Sequence, residues 1–533
     1  MNPIAAVVPA PVRASPADGA FAFDAATVVV APGSAAEVGA DLADRLGLAW
    51  ATPDHDGPAV RLEIDTGLAA RAFKPGLAAR AFKSGLAARA FKPGLAARAF
   101  KPGSPRAGDE GYALAVRPDG IRVVAASPAG LCQGVATLRQ LRGSTDRVPS
   151  GEIVDWPRYA YRGVMLDVAR HFFAVPDVLR LIDLAALFKL NHLHLHLTDD
   201  QGWRIAIDSW PRLATYGGGT EVGDGPGGYY TKADYATIVA HAAGQGITVV
   251  PEVDVPGHTN AALASYPVLS ADGVAPERYR GIEVGFSSLA VGMPATERFL
   301  DDVFGELAAL TPGPYLHVGG DEVKTIEPAE YAAVVLQAQQ AVARHGKVPI
   351  GWHEIAAGPL LPSTVVQYWG AAHQDQGMGA AAAAGNRIIM SPADRAYLDM
   401  KYDENSPYGL AWAGFIPTRA AGDWNPDTYL SDVDSSAVLG VEAALWTETL
   451  QTYEQAEAML MPRLAVLAEV GWSGPRDWAD LRQRLAVQAP LWTALGVAYH
   501  RDAGIDWPAG PASYPVQPGR DLGDSVAHIA MSA

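Results

Sequence analysis

The chain is nearly devoid of cysteine: Cys132 is the only one in 533 residues, so no internal disulfide can form. It lies in AGLCQGVATLRQL, an apolar helix-like stretch, where a buried and inert thiol is expected. Positive charge is also short. Lys and Arg number 41 against 58 Asp and Glu, a net charge of −17. An acidic body repels phosphate backbones, which argues against a nucleic-acid partner. No apolar run is long enough to span a bilayer, so no membrane partner is expected. The opening stretch MNPIAAVVPAPVRASPADG lacks a basic start, and proline breaks its apolar run. No export signal is legible there, so the expected compartment is the cytoplasm.

What is abundant is apolar residues, 49% of the chain, enough to bury a large domain and a smaller one. Residues 1–155 read as a small α+β unit. ATVVVAPG and AVRLEID have strand patterns. YALAVRPDGIRVVAAS reads as a hairpin turning at Pro118-Asp119-Gly120, followed by a helix that Gly143 stops. A nine-residue repeat, GLAARAFK(P/S), interrupts this unit four times over residues 67–102. Each copy adds one Arg and one Lys. Six helix-compatible residues between breakers are too few for a stable helix, so the repeat reads as a surface-loop insertion, which costs little stability.

From residue 156 to about 510 the pattern changes. Apolar strand-like runs alternate with amphipathic helical stretches, and eight runs are countable: 162–170, 192–199, 247–255, 315–323, 348–354, 365–370, 386–400 and 438–448. Alternating β and α units imply a parallel sheet, and eight of them imply a closed (β/α)8 barrel, a TIM barrel of the α/β class. AEAMLMPRLAVLAEVGW reads as the last barrel helix, and residues 511–533 as a Pro/Gly-rich tail.

In such barrels the active site forms at the C-terminal strand ends. Here those ends carry Arg170, Asp199, Asp254, Asp321, Glu322, Trp352, Glu354, Trp369, Asp399, Trp446 and Glu448. Asp321 and Glu322 are adjacent in YLHVGGDEV. Strand neighbours point to opposite faces, so both reach one pocket only if the strand ends there and Gly319-Gly320 turns the chain. Two close carboxylates push one pKa up, which supplies a general acid near neutrality. Trp352, Trp369 and Trp446, with Trp203 and Trp412 in loops nearby, offer flat apolar faces suited to the C–H faces of sugars. Charged neighbours such as Arg170, Asp399 and Glu448 suit the hydroxyls around them. A rival reading takes His192, His194 and His196, with His317 and His353, as ligands of a metal-dependent hydrolase. Against it, the tryptophans have no role there, and inward-facing, hydrogen-bonded barrel histidines explain the spacing. A non-catalytic glycan-binding protein is a second rival, but such a protein needs no general acid.

In RGVMLDVARHF, HLHLHLTDDQGWRI, PEVDVPGHT, LHVGGDEV, GWHE, QYWG, AYLDMKYD and EAALWTE the chain resembles glycoside hydrolase family 20, the β-N-acetylhexosaminidases. The resemblance covers nearly the whole chain, apart from the repeat. It implies an exo-acting enzyme that releases terminal GlcNAc or GalNAc with retention, without metal or cofactor. The substrate's own 2-acetamido oxygen attacks C1, giving an oxazolinium intermediate. Glu322 is then the acid and base, and Asp321 holds the acetamido N–H. Tyr397 binds the acetamido oxygen, and Trp352, Trp369 and Trp446 wall its pocket. Arg170 and Glu448 bind outer hydroxyls, with Asp399 and Trp412 nearby, while Asp199, Asp254 and His258 orient Glu322. Release of a disaccharide, as by a lacto-N-biosidase, is the alternative within the family.

Overall fold

The structure, a computed structural model, describes residues 3–68, 109–371, 377–474 and 477–510. Most of the repeat and the C-terminal tail lie outside the described residues. The first unit is a seven-stranded sheet: β1 (Arg13–Ala22), β2 (Val28–Val30), β3 (Ala49–Trp50), β4 (Ala59–Ile64), β5 (Tyr112–Arg117), β6 (Gly120–Ala125) and β7 (Arg147–Asp155). Their order in space is β1-β7-β5-β6-β4-β2-β3. The β5–β6 hairpin forms as expected, but its loop is Pro118-Asp119 alone, because Gly120 already pairs with Arg117. Ser127 caps the helix Pro128–Arg142 by accepting from the Gly130 N–H, and Gly143 ends it at φ 58°. Cys132 lies on that helix, only half-buried rather than enclosed; burial nonetheless pushes its thiol up to about 12.

The opening stretch holds the unexpected strand. β1 contains Pro16 and Gly19, and its register against β7 shifts between Pro16 and Ala20. β1 is the edge strand, where a proline without N–H and an irregular register are tolerated.

The second unit is a closed parallel barrel of β8 (Tyr161–Asp167), β9 (His192–His196), β12 (Thr248–Glu252), β13 (Tyr315–His317), β14 (Val348–Trp352), β15 (Val365–Tyr368), β16 (Arg387–Met390) and β17 (Val438–Leu445). The short pair β10 (Thr198–Asp199) and β11 (Gly202–Trp203) forms a flap after β9. All eight expected barrel strands exist, and each stops earlier than its apolar run. The segment 453–472 is two helices, Tyr453–Leu460 and Arg463–Trp472, separated at Pro462, and a further helix, Trp478–Ala494, follows. No helix among the described residues is long and apolar enough to cross a membrane.

Tyr161, Val250, Ile350, Val365 and Ile389 plug the barrel toward its N-terminal end with a buried apolar cluster. Buried charge welds the sheet to the barrel. Asp155 of β7 accepts from Lys189 Nζ and Tyr112 Oη at 2.8 Å each, and from Trp472 Nε1 at 3.0 Å. Arg162 of β8 holds Glu110 with two hydrogen bonds, of 2.6 and 3.1 Å.

Candidate active site

β13 is only three residues long, so Val318 onwards is free to turn. Gly319 and Gly320 take φ of 67° and 104°, and Glu322 itself takes 53°. Positive φ at a non-glycine residue is strained, and here it brings Asp321 and Glu322 into one space. A Cβ on Gly319 would sit 1.7 Å from Asp254 Oδ1, because that oxygen accepts the Gly320 N–H at 2.9 Å. Gly319→Ala is therefore expected to abolish turnover and lower the thermal midpoint. The left-handed backbone alone costs about 1–2 kcal/mol, before the clash. A variant with wild-type activity and melting would show that the turn is dispensable.

Around the pair the strand ends converge. His258, also at positive φ (53°), donates its Nδ1–H to Asp199 Oδ1 over 3.2 Å. Its other nitrogen lies 3.6 Å from Glu322 and 3.8 Å from Asp321. Arg170 sits between Asp199 at 2.8 Å, Asp167 at 3.3 Å and Glu448 at 3.7 Å, with its guanidinium 4.9 Å over the Trp446 ring. Burial disfavours the Asp199 carboxylate, but the Arg170 and His258 charges outweigh it and hold Asp199 well below its usual range. Burial pushes Glu322 up; the His258 charge pulls it down and the Asp321 charge pushes it up again. Burial, and then the Asp321 charge, also raise Asp254.

Aromatic side chains form the opposite wall. Trp369 lies parallel to Tyr397 at 6.3 Å, and Trp412 stands edge-on to both at 6.0 and 5.8 Å. Trp352 packs at 5.8 Å against Trp446. Asp399 is buried beside them. Its oxygens face the N–H groups of Asp399 and Trp446 without completing a hydrogen bond to either. Buried atoms without partners gather here: Asp399 Oδ1 and Oδ2, Asp321 Oδ1, Asp254 Oδ2, His258 Nε2 and Arg170 Nε. Buried polar atoms are nearly always hydrogen-bonded, so such a concentration marks where a polar ligand sits.

The structure thus gathers all thirteen site residues expected from the sequence at one barrel mouth. It removes Trp203 from the aromatic platform. That ring is buried against Phe299 at 5.8 Å and donates to the Ile205 carbonyl, so it is core. The inward histidines find carboxylate partners. His194 lies between Glu442 at 2.9 Å and Glu252 at 3.0 Å, and His196 between Glu252 at 2.5 Å and Asp199 at 3.0 Å. Burial opposes the charged His194 ring, but both carboxylates overcome it and raise it to about 9. Clusters such as Asp254–His258–Asp321 have atoms close enough together to hold a metal ion; in another, Asp199–Asp200–His258, Asp199 is already paired with Arg170 at 2.8 Å.

The sequence offers Glu354 only as a strand-end carboxylate without a role, and two buried arginines, Arg204 and Arg463, escape sequence reasoning. Glu354 accepts from Trp369 Nε1 at 3.0 Å, and burial and then the Asp321 charge push it up to about 8. Arg204 gives its hydrogen bonds to backbone carbonyls, among them Val168 and Ala169 just before Arg170. Arg463 does the same for Leu398 and Met400, on either side of Asp399. Each buried guanidinium fixes a loop that carries a polar site residue. Only the GWHE string, which places Glu354 at a strand end, offered a signal.

A closed barrel with a raised carboxyl beside a second acid, walled by indoles and lined with unpaired polar atoms, defines a carbohydrate-cleaving enzyme. Comparison with known proteins gives the family. Residues 159–333 and 328–475 match the glycosyl hydrolase family 20 catalytic domain, and residues 5–156 match that family's domain 2. A β-N-acetylhexosaminidase of Cellulomonas fimi is 50% identical over 415 residues, 77% of this chain and 84% of the relative. The GH20 β-N-acetylhexosaminidase structure from Streptomyces coelicolor A3(2) superposes with a TM-score of 0.85 at 44% identity, covering 95% of this chain and 99% of that one. A mutant Streptomyces plicatus β-hexosaminidase, solved with its product GlcNAc, gives 0.84 at 44% identity over 95% and 98% of the two chains. The chain belongs to glycosyl hydrolase family 20, the β-N-acetylhexosaminidases, and is a glycoside hydrolase.

Proposed function

We propose that the enzyme removes single terminal β-linked N-acetylhexosamine residues, GlcNAc or GalNAc, from oligosaccharides or glycoconjugates by a retaining, substrate-assisted mechanism. The observation that carries this reading is the positive-φ turn, which aims Asp321 and Glu322 into a pocket walled by Trp369, Trp446 and Tyr397. Retaining glycosidases commonly use a carboxylate nucleophile, and this family is among those that use the substrate instead.

In the first step the acetamido oxygen forms a bond to C1 while the C1–O bond to the leaving group breaks. The raised Glu322 carboxyl gives its proton to the leaving oxygen. Asp321 accepts the acetamido N–H and offsets the positive charge growing on that group. Tyr397 Oη donates to the acetamido oxygen, and Trp352, Trp369 and Trp446 exclude water from the ring that forms. In the second step Glu322 takes a proton from water, whose oxygen bonds to C1 as the oxazolinium C–O bond breaks. Arg170, Glu448 and Asp399 bind the outer hydroxyls and close the pocket behind one sugar, while Trp412 stands at the rim.

The test is release of 4-nitrophenol from its N-acetyl-β-D-glucosaminide with EDTA present, together with product analysis on an oligosaccharide. Chelator-resistant turnover, release of a monosaccharide and a loss of about 10²–10³-fold in Asp321→Asn, on the scale of losing one preorganised charge-stabilising group, are expected. Turnover abolished by EDTA favours the metal reading, release of a disaccharide favours the lacto-N-biosidase reading, and binding without turnover favours a lectin.

A further inference from the structure

The polar interior of the barrel continues below the site and converges on one residue. Glu252, at the tip of β12, is wholly buried. Its Oε2 meets His196 Nδ1 at 2.5 Å and His194 Nε2 at 3.0 Å. Its Oε1 meets His317 Nδ1 at 3.0 Å and accepts the Trp352 indole N–H at 2.8 Å. His194 passes the chain to Glu442 at 2.9 Å, which Tyr161 Oη also reaches at 2.5 Å. His196 passes it upward to Asp199 at 3.0 Å, and Asp199 holds both Arg170 and His258. Arg170 also bridges the aromatic wall and the polar chain behind Glu322, pairing with Asp199 at 2.8 Å and lying 4.9 Å over the Trp446 ring, but Glu252 does so by accepting an indole N–H.

We propose that Glu252 is a positioning residue that ties the acetamido wall to the acid, holding Trp352 with one oxygen and the His196–Asp199–His258 chain with the other. This rests on the function proposed above. A buried carboxylate persists only where donors surround it, and here His194 and His196 of β9 and Trp352 of β14 do so, while His317 Nδ1 beside it accepts the Gly319 N–H. The groups facing it are His194 and His196 from β9, His317 from β13 and Trp352 from β14, with Asp254 in the loop just past its own strand and Glu442 beyond His194. Burial opposes the Glu252 charge, but the His196 and His194 charges overcome it and hold the carboxyl well below its usual range; burial pushes His317 down, so it adds no charge. Its negative charge favours protonated His196, which favours ionised Asp199, which favours protonated His258. The His258 charge in turn pulls Glu322 down.

The signs define the experiment. Glu252→Gln removes the charge with little change of shape, so the downward pull on Glu322 weakens. The basic limb of kcat/KM, where the acid loses its proton, then moves to higher pH. Trp352 loses a charge-assisted partner, so KM rises as well. His196→Asn cuts the chain above Glu252 but leaves the Trp352 bond, so it shifts the limb with KM near wild type. Both are measured on the full chain with an N-acetylhexosamine oligosaccharide, whose basic leaving group needs the proton, with circular dichroism confirming the fold. A limb shift of at least half a pH unit in both, and a KM increase of several-fold in Glu252→Gln alone, is the expected result. Either variant folded, with the wild-type limb and KM, overturns the proposal even if the other does not fold. A wild type without hexosaminidase turnover instead overturns the functional reading, which separates the two failures.

Discussion

Glu322→Gln is expected to lower kcat on an N-acetylhexosamine oligosaccharide by about 10²–10⁴-fold, with KM nearly unchanged. The amide keeps the shape and the strained backbone of residue 322 but has no proton to give and takes none from water. The loss corresponds to about 3–5 kcal/mol of transition-state stabilisation. It should depend on the leaving group. A sugar alkoxide is strongly basic and departs only with a proton, whereas 4-nitrophenolate departs nearly unaided, so the deficit on the aryl glycoside is the smaller of the two. The pH profile separates this role from a purely structural one. In the wild type burial raises the Glu322 carboxyl, so it is protonated below that raised value and kcat/KM falls as pH rises through it. In Glu322→Gln that basic limb disappears. Equal losses on both substrates, or an unchanged limb, would remove Glu322 from the role of acid.

The features that locate this site were legible because they are local. A strand run that ends in two glycines and two acids needs no knowledge of the rest of the chain, and neither does a tryptophan at the end of an apolar run. What was not legible depends on partners far away in sequence. Glu252 and Glu442 belong to apolar strands, where a carboxylate makes sense only once His194 and His196 of β9 are seen beside them. Arg204 and Arg463 look like ordinary surface arginines until each is found wrapped in backbone carbonyls. β1 hid because Pro16 and Gly19 break the alternation that marks a strand, and only its place at the sheet edge excuses them. The apolar runs overshot the real strands because burial continues past the last ladder hydrogen bond. Val318 and Leu398 are as buried as the strands before them, yet they belong to loops that carry the site.

The second large effect concerns stability rather than chemistry. Asp155→Ala is expected to destabilise the protein by about 3–5 kcal/mol, the scale for breaking a buried ion pair by removing one partner. Asp155 and Lys189 are both fully buried, 2.8 Å apart. Burial already pulls the Lys189 ammonium below its usual range, and the Asp155 charge is the main force holding it up. Without Asp155 the amine keeps one hydrogen bond, to Tyr112 Oη at 2.9 Å, and Trp472 Nε1 loses its acceptor. Tyr112 belongs to the sheet, and Lys189 and Trp472 to the barrel, so the damage falls on the seam between them. Urea unfolding followed by tryptophan fluorescence should show the midpoint falling, and the single transition splitting as the sheet separates from the barrel. Glu110, which takes two hydrogen bonds from Arg162 across the same seam, would hold a residual contact, so Asp155→Ala combined with Glu110→Ala should split the transition further. Because the strand tips that carry Asp321 and Glu322 lie at the opposite end of the barrel from the plug formed by Tyr161, Val250 and Ile350, kcat measured below the first transition should stay close to wild type. A midpoint unchanged in Asp155→Ala would mean that Lys189 finds another partner, and a collapse of kcat without unfolding would mean that the seam also shapes the site.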